Sequence, residues 1–358
     1  MAFAQIILEP SGRINVQSAY PWQLLFMNRV LLLPLLLCST LLNAAPPSTA
    51  GSSTAHSSVQ QSMRLQTDQG TLHGTLLKPS STAPVAVALL IAGSGPTDRD
   101  GNNPEGGQSD SLKRLAQNLA KQGIASLRYD KRGVAASRAA TPDERDLSVE
   151  GYVSDAVAWA RLLRADPAFD RLILIGHSEG ALIASLAAEP AQADALVAIA
   201  GSSRPIDQLL REQLAARLPP HLLAQSNQIL DRLLTGQFSP KVPKQLQVLF
   251  RPSVQPYLIS LLRQNPGQAF ARLQIPALIV QGSHDIQVSV ADAQALQAAK
   301  SDAELLIIPG MNHMLRISAL DLTAQLASYN NPRLPLAQGL GEQIAQFIQR
   351  SGKKPASS

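Results

Sequence analysis

The sequence predicts an α/β fold in which a mostly parallel sheet carries helices on both faces, and three observations predict it. Short runs of continuous apolar residues recur along the chain, helical patterns lie between most of them, and one long Leu-rich stretch breaks that rhythm. A strand that is apolar at every position is buried on both faces, the condition of a parallel strand covered above and below by helices.

The first elements are of a different kind. "MRLQTD", a turn at Gln69 and Gly70, and "TLHGTLLKP" alternate in polarity and read as an antiparallel hairpin. The first continuous apolar run is "PVAVALLIAG", Pro84 to Gly93; runs of the same kind follow at 124–130, 171–176, 195–201, 276–282 and 303–310. Helical patterns between them cover Leu112 to Gln122, Val149 to Arg164, Ala181 to Ala188 and Ala291 to Ala299. Residues 204–273 interrupt the alternation with amphipathic Leu-rich segments and prolines at 219, 220, 240, 243, 252 and 256, and this stretch reads as a helical cap inserted into the fold. The core is then expected at 62–203 and 274–350, with a flexible stretch at 46–61 and a disordered tail at 351–358.

A chain of 358 residues, 45% hydrophobic and 16% charged, can bury a large core. Its net charge of +5 is spread along the sequence, not gathered into a basic patch, so no nucleic-acid partner is expected. The single cysteine, Cys38, excludes an intramolecular disulfide, and no metal or other cofactor is called for. "MNRVLLLPLLLCSTLLNAA", Met27 to Ala45, has one positive charge, a short apolar run and small residues at its end. That is the layout of a signal peptide cleaved after Ala44 or Ala45; with Pro34 in a run shorter than the about 20 residues of a membrane span, it is not a stable membrane anchor. The expected protein starts at Met27, with residues 1–26 a non-native upstream extension, and is exported to the periplasm or secreted.

"RLILIGHSEGALIAS", Arg171 to Ser185, carries the chemistry. Gly176-x-Ser178-x-Gly180 at a strand-to-helix junction is the pattern of a sharp turn that holds a serine in a strained conformation with its Oγ exposed. On a parallel sheet, reactive groups collect beyond the carboxyl ends of the strands. Ser178 follows the run at 171–176, Asp285 the run at 276–282, and His313 the run at 303–310. A serine hydroxyl needs a base, which His313 supplies, and an imidazole base needs an acceptor to set its tautomer, which Asp285 supplies. Read singly, Asp285 is also a plausible cap for the helix near Ala291, and His313 an ordinary loop histidine. The turn "GSSR" after the run at 195–201 offers no carboxylate.

"AGSGPTDRDGN", "LRYDKRGVAAS", "GHSEGALIAS", "QGSHDIQV" and "GMNHML", in this order, resemble the α/β-hydrolase superfamily, in the branch of serine-aminopeptidase-like and dienelactone-hydrolase-related proteins. The resemblance covers residues 62 to 350 and implies the α/β-hydrolase fold with Ser178, Asp285 and His313 as catalytic triad. An oxyanion hole would use the backbone N–H groups of Glu179 and of Ser94, with Gly95 as the neighbouring alternative to Ser94. The loop Gly93 to Pro104 lacks the Lys-Ser/Thr of a phosphate-binding loop. Asp98, Arg99, Asp100, Asp130, Lys131 and Arg132 are expected to brace this loop against the one at 130–135. Serine at the nucleophile position departs from true dienelactone hydrolases, which use cysteine there, and favours ordinary ester hydrolysis.

The expected activity is that of a carboxylesterase acting on small-molecule esters, with amide or aminopeptidase-type hydrolysis as the alternative and a non-catalytic binding protein as the remote one. An aminopeptidase of this superfamily would need a free carboxylate in the cap for the substrate ammonium. Asp207, Glu212 and Asp231 are the candidates, each with an arginine nearby in sequence. Within "LFRPSVQPYLISLL", Tyr257 is expected to overhang the pocket as a substrate contact.

Overall fold

The structure, a computed structural model, describes residues 57–104 and 106–351. The expected signal peptide with its cleavage site, the upstream extension, Cys38 and residues 352–358 lie outside the described residues.

Eight strands form one sheet: β1 (Ser58–Thr67), β2 (Gly70–Pro79), β3 (Val85–Ile91), β4 (Ala125–Tyr129), β5 (Phe169–His177), β6 (Ala195–Ile199), β7 (Ala277–Gly282) and β8 (Glu304–Ile308), in the spatial order β1-β2-β4-β3-β5-β6-β7-β8. The β1–β2 and β2–β4 pairings are antiparallel, and all others are parallel. The predicted hairpin is therefore an antiparallel extension of the parallel sheet. Its first strand begins at Ser58, inside the stretch 46–61 expected to be flexible, because every residue of β1 pairs in register with β2.

Helices α1 (Ser111–Lys121), α2 (Val149–Arg164), α3 (Glu179–Ala187), α4 (Ile206–Ala215), α5 (Pro220–Leu234), α6 (Gln247–Phe250), α7 (Gln255–Leu262), α8 (Pro266–Ala271), α9 (Val290–Ala299), α10 (Leu322–Tyr329) and α11 (Leu340–Ser351) complete the described residues, with four short 3-10 turns. The two-residue period of the strands sorts their side chains between two cores. Val87, Leu89 and Ile91 of β3 face α2, α3 and α9, which contribute Trp159, Ile183 and Leu296. Ala86, Ala88 and Leu90 face α1 and α11, which contribute Leu115, Leu119, Ile344 and Phe347. α11 was not anticipated, and its last turn includes Ser351, assigned from sequence to the disordered tail.

Between β6 and β7, α4 to α7 build a third apolar cluster of their own from Leu210, Leu230, Phe250 and Leu258, among others, while Phe270 of α8 joins the core that holds α2 and α3. Pro219 and Pro220 stand at the N-cap and first turn of α5, and Pro256 in the first turn of α7, where a missing N–H costs no helical hydrogen bond. α7 also turns Tyr257 and Leu261 into the core beneath the sheet's α2–α3 face, tying this layer to the rest.

Candidate active site

β5 runs apolar from Leu172 to Ile175 between β3 and β6, and the chain then reverses into α3 within one residue. That residue is Ser178, at φ 57 and ψ −122, a conformation L-residues rarely adopt and one that stores strain. A Cβ on Gly176 would lie 2.1 Å from the carbonyl oxygen of Gly180, and one on Gly180 would lie 2.3 Å from that of Ile91, so strand and helix can approach this closely only without side chains. The Ser178 N–H donates to the Ile199 carbonyl at 2.8 Å, fastening the turn to β6.

Asp285 and His313 stand at the ends of β7 and β8, and the fold brings them together: Asp285 Oδ2 accepts from His313 Nδ1 at 2.7 Å, with both side chains buried. Asp285 Oδ1 accepts from the N–H groups of Gln287 (2.7 Å) and Val288 (3.0 Å). Burial opposes ionisation of this carboxyl, but the charge and hydrogen bond of His313 and the two backbone donors outweigh it and hold its pKa below the ordinary value. Asp285 therefore stays an acceptor, and His313 carries its proton on Nδ1 and keeps Nε2 for the cavity it shares with Ser178. His284 is no competitor, since its Nδ1 faces the Ser318 carbonyl at 2.6 Å.

His177, the residue between Gly176 and Ser178, reaches the backbone of His313. Its Nε2 lies 2.9 Å from the His313 carbonyl, which can only accept, so Nε2 bears the hydrogen and pins the backbone of the base. Burial, then the neighbouring His313, push its pKa down to about 3, so it remains neutral. Gln281, also unflagged, donates from Nε2 to Asp285 Oδ2 at 3.2 Å and to the Val288 carbonyl at 2.9 Å. Both lie inside quoted motifs, His177 in "GHSEGALIAS" and Gln281 at the start of "QGSHDIQV", but neither residue type there signals its partner.

Ser94 and Glu179 border the same space as Ser178, and among the described residues neither N–H meets a protein acceptor. The loop carrying Ser94 is braced much as expected. Asp130 accepts from Arg99 through both backbone N–H (2.8 Å) and guanidinium (2.7 Å), and Asp100 accepts from Arg128 at 3.0 Å. Asp98 accepts from the N–H groups of Asp100 and Asn102 within its own loop. Lys131 braces the loop by donating to the Gly93 carbonyl, not through an ion pair, and one member departs from the expectation: Arg132 turns away to Asp155 and Gln69.

Two small cavities meet at Ser178. One, of about 60 Å³, lies against the cap and is walled by Leu182, Leu209, Leu210 and Val288; the other, of about 50 Å³, lies between the Gly93–Ser111 loop and His313. Among the described residues, no cluster of three or more His, Cys, Asp or Glu could hold a metal ion.

Residues 106–317, which include the serine, the acid and the histidine, match the model of the serine aminopeptidase family, S33. The chain belongs to that family. It is similar to Esterase EstD of Thermotoga maritima, 28% identical over 248 residues that cover 68% of this chain; the match spans only 58% of the length of that curated relative. Two solved structures share the fold: Est1E from Butyrivibrio proteoclasticus with ferulic acid bound (TM-score 0.52, 17% identity, 81% of this chain and 98% of that one) and the α/β hydrolase GrgF from Penicillium sp. sh18 (TM-score 0.51, 20% identity, 82% and 99%).

In this serine aminopeptidase family member, the cap offers the site no free carboxylate among the three singled out from sequence. Glu212 pairs with Arg204, and Asp207 and Asp231 pair with Arg211 at 3.7 and 2.6 Å. Tyr257, expected to overhang the pocket, does not line the two cavities at Ser178 but a separate one with Gly95, Pro96 and Tyr152. It is buried, its ring packs 5.6 Å from that of Tyr152, and its hydroxyl donates to Glu179 Oε1 at 2.6 Å. A buried phenol usually finds an acceptor, and the side chain of Glu179 provides it.

Proposed function

We propose that this protein is a serine hydrolase that cleaves small carboxylic esters through an acyl-enzyme on Ser178, and that it is exported after removal of residues 27–45. The observation that carries the enzymatic reading is the 2.7 Å Asp285–His313 pair sharing a cavity with a serine held at φ 57. His313 Nε2 takes the Ser178 proton as Oγ bonds to the ester carbonyl carbon, and the oxyanion so formed is held by the N–H groups of Ser94 and Glu179. Collapse breaks the bond to the alcohol oxygen, which leaves with the proton from His313. Water, deprotonated by the same nitrogen, then attacks the acyl-enzyme, and the acid is released with Ser178 restored.

The esterase name of the Thermotoga maritima relative and the ferulic acid in the Butyrivibrio proteoclasticus structure support a carboxylic ester or acid as the occupant. The apolar wall of the cap-side cavity supports a short acyl group, and the paired carboxylates of the cap speak against capture of a peptide's ammonium. A fluorophosphonate probe tests the reading. Wild type should be labelled at Ser178 and hydrolyse p-nitrophenyl acetate; Ser178→Ala should do neither, with a melting temperature unchanged or slightly raised because the turn keeps its backbone and glycines and loses only one hydroxyl. Equal labelling of the two proteins would end it. Export is checked separately by N-terminal sequencing of the protein recovered from its native host, which should begin at Ala45 or Pro46.

A further inference from the structure

One buried cation has no part in the triad. Lys131, in the turn after β4, is 1% exposed, and among the described residues it pairs with no carboxylate. Its Nζ donates to the Gly93 carbonyl and sits 5.2 Å from the centre of the Tyr152 ring. Burying an ammonium on a carbonyl and a ring face is costly, and a methionine would fill the same space without that cost. The location gives the reason. The carbonyl of Gly93 and the N–H of Ser94 belong to one peptide plane and point in opposite directions, so a cation on the carbonyl side leaves the N–H directed away from it. This peptide lies against the nucleophile: a Cβ on Gly93 would stand 3.2 Å from Ser178 Cβ, and Ser94 borders both cavities at Ser178.

We propose that Lys131 is a positioning residue for the oxyanion hole, its ammonium polarising the Gly93–Ser94 peptide so that the Ser94 N–H is a stronger and fixed donor to the charge that develops on the substrate oxygen. The inference rests on the ester-hydrolase reading and on Ser94 as a donor. A positive charge on the carbonyl oxygen draws electron density through the conjugated amide and makes its N–H more acidic, and the low dielectric of a buried site strengthens the effect. The Tyr152 ring contacted by this ammonium also packs against Tyr257, whose hydroxyl holds the side chain of Glu179, the residue proposed to supply the second donor. Burial lowers the pKa of Lys131, and the nearby carboxylate of Glu179 counteracts that shift and favours the charged form. One buried group thus stands behind both donors of the hole.

The test separates transition-state from ground-state binding. In the full chain, Lys131→Met should lower kcat for p-nitrophenyl acetate about 10- to 100-fold, less than the loss of a whole oxyanion donor, with KM within about twofold. Inhibition by a small alkylboronic acid, which becomes a tetrahedral anion on Ser178, should weaken by a similar factor, while labelling still occurs at Ser178. Lys131→Gln, which can keep a neutral hydrogen bond to Gly93, should recover only part of the rate. A folded Lys131→Met with wild-type kcat and boronate affinity overturns the proposal, as does a variant that raises KM while leaving kcat alone. Should neither variant fold, pairwise labelling of wild type with carbonyl-13C glycine and 15N serine decides: the Gly93 carbonyl should resonate downfield of the other Gly-Ser carbonyls, and an ordinary position overturns it. Absence of Ser178 labelling in wild type would instead remove the ester-hydrolase reading itself.

Discussion

In the floor of the site, reactive atoms are placed by backbone: Ser178 by a one-residue turn at φ 57 between β5 and α3, Asp285 by two N–H groups of its own loop, and His313 by a carbonyl held on His177. The cap is assembled the other way. α4 to α7 meet through Leu210, Leu230, Phe250 and Leu258, and all three of the carboxylates singled out there are taken up in pairs such as Arg211–Asp231. Backbone placement tolerates almost no change, because a Cβ at Gly176 or Gly180 has nowhere to go. Apolar side-chain packing tolerates exchange of one residue for another of similar volume. The proposed chemistry therefore sits where the chain is inflexible, beside a layer whose packing admits exchange.

The comparison is broken most severely at the acid. Asp285→Asn leaves the loop's shape but presents an amide to His313 Nδ1, so kcat should fall by about 10⁴-fold with little change in fold, as read by p-nitrophenyl ester kinetics and circular dichroism. Near-normal turnover would mean that the acid lies elsewhere. In the cap, Leu230→Ala empties a fully buried position and should cost about 2–5 kcal/mol in denaturant unfolding while kcat stays within a few-fold of wild type. A loss of kcat as large as that of Asp285→Asn would show that the cap is part of the chemistry.

Acid sharpens the contrast. His177 binds no proton in the folded state until about pH 3, whereas the unfolded chain binds one near its ordinary 6.5. Between those values the unfolded state holds more protons, so stability falls as pH falls, by up to about 1.4 kcal/mol per pH unit from this group. Asp285 adds to the fall at lower pH, since its depressed pKa stabilises the fold only while it is ionised. Denaturant melts of His177→Gln should show a shallower acid limb, and an unchanged limb would place the sensitivity elsewhere. The smallest effect is expected at Tyr257→Phe, which leaves Glu179 without its phenol donor at no loss of ring packing: about 1 kcal/mol of stability and only a modest rise in KM, measured by the same melts and kinetics.

Most of the sheet was legible in the sequence because its strands are buried on both faces and so apolar at nearly every position, as at 85–91 and 172–175. β1 was read short because eight of its ten residues are polar, small or exposed, and only pairing with β2 keeps it extended. α11 was missed although its apolar residues recur at helical spacing. Candidate residues were legible where the chemistry demands one residue type at one strand end, which is how Ser178, Asp285 and His313 were picked out.

The sequence by itself determined the alternation of strand and helix, the glycines that let β5 turn into α3, and the order serine, acid, histidine, since each follows from local pattern or from a residue type that admits few substitutes. Only the tertiary structure decided which atoms meet. Tyr257 was read toward the substrate and donates to Glu179; Arg132 was read toward the Asp98 loop and instead pairs with Asp155; Lys131 was read into the same charge network and lies buried on the Gly93 carbonyl with no ion pair among the described residues. The physical reason is common to the three. Long polar side chains can reach several partners from one backbone position, and which partner they take depends on what burial leaves unsatisfied, a property of residues brought together from distant parts of the chain.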